Sequence, residues 1–353
     1  MSALFSSRLL SWYKKNSRKL PWRETKDPYK IWISEVMLQQ TTVKAVIPYY
    51  QKWIKEFPTV TKVANTSIEK ILKQWQGLGY YSRARNLHKA ADIICRDFAG
   101  QIPDNTHDLK KLPGFGPYTI GAVLSIAFNQ RTPIIDANVR RVVMRLLALN
   151  GLPDNSHDKV IYEFLDIVMP QKNMSSFNQA LMELGALVCR SKEVLCSICP
   201  VQSMCKAYSK GLQEIIPQVK VKKIQDVEVV IALIRNKSKF LIQQRPAKGL
   251  FADLWEFPGG KIEKEELQLD ALKRELREEL GIELQSAKFL FPVVQFYTQF
   301  RAKLYVWDCE LQGVLNLKSH MRWANPKELK NYPMPSGSAR ILAKLSNSAI
   351  LAD

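Results

Sequence analysis

Apolar positions recur at helical spacing through residues 1–205 and give way to alternation beyond 226. Segments 29–46, 48–57, 68–77, 84–98, 119–128, 139–149, 160–168 and 177–188 each line up apolar side chains on one helix face. Leu4, Phe5, Leu9, Leu10 and Trp12 suit one further amphipathic helix at the start. Short breaks fall at Phe57-Pro58-Thr59, at 77–79, at 151–155 and at Met169-Pro170. This half has neither an internal repeat nor strand-like alternation. Between 206 and 226, Gly211, Pro217 and a lysine-rich run read as a linker. Beyond it, 227–234, 240–244, 289–294 and 297–311 read as strands, with an acidic helix over 265–280 and a closing helix over 338–345. The pattern predicts a multi-domain chain: an all-α domain over 1–205, a linker over 206–226 and an α+β domain over 227–353.

The chain has 353 residues, enough for two ordinary domains, and 46% are apolar, which rules against disorder. The charge is +19, from 52 basic and 33 acidic residues. That favours a polyanionic partner, nucleic acid before membrane, through counterion release. No apolar run approaches the ~18 residues that span a bilayer. The first nineteen residues are rich in Ser and bases and carry no acid, as transit peptides are. Their helical spacing argues instead for a helix that runs into the fold, and a cytoplasmic protein is expected.

Candidate chemistry centres on residues 112–138, LPGFGPYTIGAVLSIAFNQRTPIIDAN. Pro113, Gly114, Gly116 and Pro117 make a tight turn between two helical segments. Gly114 and Gly116 leave backbone N–H groups uncovered at a helix start, where phosphate oxygens bind. Asp136 follows the apolar pair Ile134–Ile135, and such a carboxylate could act on a sugar or could cap the helix beginning at Val139. Glu35 shares a helix face with Ile31, Trp32 and Leu38. Desolvation there would raise its pKa and suit it to general-acid work, whereas a surface Glu would pair with a Lys. Cys189, Cys196, Cys199 and Cys205 form C-x6-C-x2-C-x5-C within one loop. That spacing fits a metal centre, structural zinc or a [4Fe–4S] cluster, better than disulfides. Cys95 and Cys309 read as packed residues. In the second half, Gly260, Glu266, Arg274, Glu275, Leu276, Glu278, Glu279, Gly281 and Ile282 form a spaced pattern. Its clustered carboxylates point to a divalent cation, or else to a solvated acidic helix partnered by Lys273, Arg274 and Arg277.

On the hairpin, Asp136 and the cysteine loop, the first half resembles the endonuclease III superfamily of helix-hairpin-helix DNA glycosylases. Within it, Leu20-Pro21-Trp22-Arg23, the run from Glu35 through Gln39, Gln40 and Thr41, Gly77-Leu78-Gly79-Tyr80-Tyr81 and Asp136-Ala137-Asn138-Val139 resemble the MutY adenine DNA glycosylases. Residues 227–345 resemble the Nudix-like domain of that family, through Gly249-Leu250-Phe251-Ala252 and Leu254-Trp255-Glu256-Phe257-Pro258.

The resemblance implies a monofunctional enzyme that removes adenine opposite 8-oxoguanine or guanine from double-stranded DNA, as a monomer. Lyases of the superfamily carry a Lys where this chain has Tyr118, and a phenol cannot form their Schiff base. By the same resemblance the adenine is flipped from the stack, Glu35 protonates it, and Asp136 stabilises the sugar cation. Tyr118 and Asn138 orient Asp136. Trp22, Arg23, Leu38 and Gln179 line the base pocket, Gln40 and Tyr80 wedge into the stack, and Gly114 and Gly116 hold the DNA backbone. The four cysteines hold a structural [4Fe–4S] cluster. Two departures stand out. Tyr297-Thr298-Gln299 occupies the place of a Phe-Ser-His or Phe-Thr-His loop that reads 8-oxoguanine, and Gln299 replaces the His. The Nudix signature is complete, with Glu275, Glu278 and Glu279 as ligands for Mg²⁺, so pyrophosphohydrolysis of oxidised nucleotides is an alternative activity. An endonuclease III-type lyase is a further alternative, disfavoured by Tyr118.

Overall fold

The computed structural model describes residues 2–220, 224–297 and 300–346. The chain forms two compact units, Met1–Asn65 with Asn86–Val221, and Thr66–Arg85 with Lys222–Asp353. Their character follows the expectation of an all-α part and an α+β part. Among the described residues, no helix is long and apolar enough to cross a membrane.

The helices in chain order are α1 (Ser2–Asn16), α2 (Pro28–Leu38), α3 (Val43–Glu56), α4 (Val60–Ala64), α5 (Ile68–Trp75), α6 (Ser82–Asp97) and α7 (Thr106–Leu109). They continue as α8 (Pro117–Ala122), α9 (Ala137–Leu147), α10 (Asn155–Val168), α11 (Met174–Leu187) and α12 (Lys206–Ser209). Side-chain caps start several of them: Asp27, Thr59, Asn105, Asp136 and Asp154 each accept from a backbone N–H in the first turn. α8 runs on as a π-turn over Val123–Ala127. The core of the first unit lies between α9 and α11, where Val139, Val143, Phe177, Leu181 and Leu184 are buried, and Phe5 and Leu9 carry α1 into the same cluster.

The helix expected over 29–46 is broken. α2 ends at Leu38, Gln40 has φ +56°, and α3 begins at Val43 and continues through Pro48. Apolar spacing carries on across the break, so periodicity conceals it, while Pro48 costs α3 one hydrogen bond without ending it.

In the second unit, β1 (Gln225–Asn236), β2 (Lys239–Gln244), β3 (Trp255–Glu256), β4 (Glu283–Phe296), β5 (Phe300–Gln312) and β6 (Met321–Ala324) form a sheet ordered β3-β2-β1-β5-β4, with β6 also on β2. β1 and β5 are parallel and the other pairs antiparallel. Helices α13 (Gln268–Leu280), α14 (Pro326–Leu329) and α15 (Ser336–Ser346) complete the unit. One face of β1 packs Val230, Ala232 and Ile234 with Leu272 and Leu276 of α13. The other packs Ile231 and Leu233 with Ile341 and Leu345 of α15. Covering both faces explains the unbroken apolar run in β1. β3 and β6 escape the sequence reading because runs this short leave no period to detect.

The segment Thr66–Arg85, expected within the N-terminal domain, groups with the second unit. Lys73 Nζ donates to the Tyr332 carbonyl at 3.0 Å, Trp255 Nε1 to Glu69 Oε1 at 3.3 Å and Arg85 Nη1 to the Ala252 carbonyl at 2.7 Å. The apolar face of α5 was legible in the sequence, but periodicity does not say which partner covers it.

Candidate active site

α2 is buried along nearly its whole length, and Glu35 sits within it at 4% exposure. Asp27 caps the helix by accepting from Tyr29 N, and Pro28 opens its first turn. Burial pushes the Glu35 carboxyl up to about 7; the Asp136 charge adds to this, while a hydrogen bond from Tyr118 and the charge of Arg23 oppose it. Tyr118, on α8, gives its hydroxyl to Glu35 Oε2 in a short hydrogen bond. This revises the expectation that Tyr118 orients Asp136: the phenol goes to the other carboxylate.

Asp136 is the cap residue of α9, and it also lines the cavity that holds Glu35. Its Oδ1 accepts from Val139 N at 2.6 Å, and its Oδ2 accepts from Asn138 Nδ2 at 2.9 Å. Burial raises its pKa, and those two bonds pull the other way. Asn138 is itself held: Arg141 Nη2 donates to Asn138 Oδ1 at 2.9 Å and to the Gly185 carbonyl at 2.8 Å, and Arg141 Nε donates to the Cys189 carbonyl at 2.8 Å. A Cβ on Gly185 would stand 2.6 Å from Asn138 Cβ, so α11 approaches α9 this closely only because that position is glycine.

A cavity of about 580 Å³ takes in Glu35, Tyr118, Asp136 and Asn138 together with Trp22, Arg23, Leu38, Gln40 and Gln179. Arg18 and Glu183 also line it and were missed in the sequence. Burial opposes ionisation of Glu183, but hydrogen bonds from Arg18 and Arg23 outweigh it and hold the carboxyl at about 2. Arg18 reaches Glu183 from Nε at 2.8 Å and Nη2 at 2.7 Å, and Arg23 from Nη2 at 2.8 Å. Helical Glu residues are common, and nothing local to Glu183 marks it; only the fold brings two arginines from 160 and 165 positions away. The cavity thus holds one carboxyl poised near neutrality, one capped carboxylate and one carboxylate locked by arginines.

In the hairpin, Gly114 has φ +83°, and a Cβ there would meet Asn86 Cβ at 3.1 Å. Gly116, before α8, has open space where a Cβ would be, so its bareness leaves backbone N–H groups accessible without serving the packing. Tyr80, in the second unit, has φ +48° and is 37% exposed.

Cys189, Cys196, Cys199 and Cys205 line one small cavity together with the buried Arg145. Arg145 Nη1 donates to Cys189 Sγ at 3.2 Å, and Cys205 Sγ donates to the Arg145 carbonyl at 3.4 Å. No disulfide joins them. Among the described residues, no three His, Cys, Asp or Glu side chains are set to hold a metal ion. Cys95 and Cys309 stand apart from this cavity.

The Nudix-like motif is arranged as ion pairs. Arg274 bonds Glu266 at 2.9 Å, Glu275 at 2.8 Å and Glu278 at 3.3 Å, and Arg277 pairs with Glu283. Glu279 Oε2 accepts from Gln243 Nε2 at 2.7 Å and Gly259 N at 3.1 Å. Glu275 is largely shielded, burial and the Glu275 charge raise the Glu279 pKa, and Arg274 offsets only one of the motif's negative charges, so the helix is not simply a solvated acidic one. Tyr297 stacks between Phe251 at 5.0 Å and Phe300 at 4.8 Å, while Thr298 and Gln299 lie outside the described residues.

Residues 33–170 match the HhH-GPD superfamily base excision DNA repair protein family, and 229–344 match the NUDIX domain. The adenine DNA glycosylase of Buchnera aphidicola subsp. Acyrthosiphon pisum is 37% identical, over 75% of this chain and 76% of its own length. That of Homo sapiens is 33% identical, over 92% of this chain and 70% of its own length. A solved thermostable thymine-DNA glycosylase is 29% identical with a TM-score of 0.54, covering 59% of this chain and 96% of its own. With relatives at 37% and 33% identity matched across most of both lengths, the chain belongs to the adenine DNA glycosylases, enzymes of base excision repair.

Proposed function

We propose that this enzyme removes adenine mispaired with 8-oxoguanine or guanine in double-stranded DNA, as a monofunctional glycosylase. What carries the reading is Glu35, buried, raised to about 7 and hydrogen-bonded by Tyr118, with Asp136 on the same cavity. An acid near pKa 7 is protonated in about half the molecules at neutral pH and can still part with its proton. The flipped adenine enters the cavity between Trp22, Arg23, Leu38 and Gln179, while Gln40 and Tyr80 wedge into the base stack near the lesion. Glu35 gives its proton to adenine N7. The bond from N9 to the sugar then breaks with its electron pair on the base, leaving an oxocarbenium-like sugar. Asp136, held by Val139 N and Asn138, stabilises that cation. Glu35, now a carboxylate, takes a proton from the water that adds to the sugar. Tyr118 offers no amine for a Schiff base, so the strand stays intact. Gly114 and Gly116 give backbone N–H groups to DNA phosphate. The region 227–353, linked through 206–226, reads the 8-oxoguanine by way of Tyr297, Thr298 and Gln299.

Cys189, Cys196, Cys199 and Cys205 fit a [4Fe–4S] cluster. Thiolates around a single zinc would stand about 3.8 Å apart, given a Zn–S distance of ~2.3 Å, whereas a four-iron body spreads them over separate irons. The four thiols line one cavity, and their C-x6-C-x2-C-x5-C spacing has a single short pair where structural zinc usually has two. Bound there, the cluster supplies a rigid brace for the loop. Of the expected cation ligands Glu275, Glu278 and Glu279, Arg274 pairs with the first two, and nucleotide hydrolysis is not part of the proposal.

Single-turnover cleavage of duplexes carrying adenine opposite 8-oxoguanine, guanine or thymine tests the reading. Breakage only after alkali, fastest opposite 8-oxoguanine, is expected. Breakage without alkali would remove the monofunctional assignment, and no adenine loss from any duplex would remove the whole proposal.

A further inference from the structure

We infer that Arg83 is a positioning residue that holds Tyr80 ready to enter the base stack. The inference rests on the reading of Tyr80 as a wedge and adds the device that presents it. Gly77, Gly79 and Tyr80 all have positive φ, at +104°, +72° and +48°. A Cβ at Gly79 would meet nothing within 4 Å, so glycine is there for its backbone and not for space. A tyrosine in the left-handed region is strained, and a loop of this kind has little intrinsic reason to keep one shape.

The shape is imposed from beneath. Arg83 is 9% exposed, and its Nη2 donates to the Leu78 carbonyl at 3.1 Å and the Gly79 carbonyl at 3.0 Å. Trp75 Nε1 donates to the same Gly79 carbonyl at 3.2 Å. The Arg83 guanidinium lies 5.3 Å from the Trp75 ring and 5.6 Å from the Tyr80 ring. The buried cation therefore reads two loop carbonyls with its edge and touches two aromatic rings with its face. Both carbonyl bonds leave from Nη2, while the planar guanidinium offers the two rings a broad delocalised face that a compact ammonium lacks. Burial lowers the Arg83 pKa to about 10, which leaves it charged at neutral pH. These contacts join Trp75, Leu78, Gly79, Tyr80 and Arg83. Tyr80 is left partly exposed on a backbone that cannot relax, the state a wedge needs before it meets a duplex.

The test uses the full-length enzyme and a duplex with 2-aminopurine beside the target adenine, whose fluorescence rises when its neighbour leaves the stack. Arg83→Lys, Tyr80→Ala and the double variant are compared for that signal, for single-turnover excision and for thermal melting. A cation–π contact between the exposed and desolvated limits corresponds to roughly tenfold in an equilibrium. Arg83→Lys should therefore weaken the fluorescence rise and slow excision by about tenfold while melting holds. Tyr80→Ala should do the same, and the double variant should match Tyr80→Ala alone. If Arg83→Lys adds its full loss on top of Tyr80→Ala, Arg83 acts elsewhere and the inference fails. If Tyr80→Ala impairs extrusion but Arg83→Lys does not, the inference fails and the wedge reading stands. If Tyr80→Ala leaves extrusion untouched, the wedge reading fails first. Should Arg83→Lys not fold, Arg83→Gln keeps one donor for the carbonyls and is read by the same outcomes.

Discussion

Replacing Glu35 with Gln should stop base release and also make the protein more stable at alkaline pH. The carboxyl has an ordinary value of 4.5 and is raised to about 7 in the fold, mainly by burial. Below pH 4.5 both folded and unfolded chains carry the proton, and the group adds no pH dependence. Between 4.5 and 7 the unfolded chain releases it while the folded chain holds it, so stability falls as pH rises. Above 7 the folded chain bears the charge at full cost. At 1.36 kcal/mol per unit, the difference amounts to about 3 kcal/mol. No discount for solvent applies, since α2 buries the group. Gln keeps an oxygen for the Tyr118 hydroxyl to donate to and has no proton to lose. Denaturant unfolding followed by far-UV circular dichroism, on wild type and Glu35→Gln at pH 5 and pH 8.5, isolates this contribution, because other titrating groups cancel in the difference. The variant's advantage should grow by about 2.5 kcal/mol between the two pH values, since part of the effect is already present at pH 5. A difference that stays flat with pH would mean that Glu35 is solvated, and the argument for its acid role would go with it.

Tyr118→Phe removes a hydrogen bond that favours the Glu35 carboxylate. The alkaline limb of the pH–rate profile should move upward by roughly one unit, read by single-turnover excision from pH 5 to 9; a downward shift would contradict the geometry. Gly185→Ala places a Cβ 2.6 Å from Asn138 Cβ, which should cost about 1–3 kcal/mol of stability and slow excision by displacing the donor to Asp136. Melting and single-turnover rates measure the two effects. Cys199→Ser should abolish visible iron–sulfur absorbance in protein purified under argon, while Cys95→Ser should leave it intact.

Much of the site could be seen in the sequence because its chemistry is packed into short motifs. Glu35 stood out as an acid among apolar neighbours, and Asp136 as an acid after an apolar pair. Glu183, Arg18 and Arg141 did not stand out, because their meaning lies in partners far along the chain. Glu183 meets Arg23 across 160 positions, and Arg141 meets Cys189 across 48. The family resemblance assigned Tyr118 to Asp136, where the fold gives its hydroxyl to Glu35. Strands with a long apolar run, such as β1 and β5, were legible. The first half of β4 was not, since Glu283, Gln285, Ser286 and Lys288 are exposed polar residues on an edge strand.

The grouping of Thr66–Arg85 with the C-terminal sheet has a consequence for synthesis on the ribosome. α5 emerges early, but the residues it bonds come late: Lys73 waits for Tyr332, 259 residues further on, and Trp255 comes 186 residues after Glu69. At about 5–20 residues per second the delay is roughly 10–50 s. Throughout that interval Ile71, Leu72 and Trp75, all fully buried in the finished protein, lack the late-made part of their unit. The nascent chain therefore carries an unfinished apolar surface for most of its synthesis, a natural place for a chaperone to hold it.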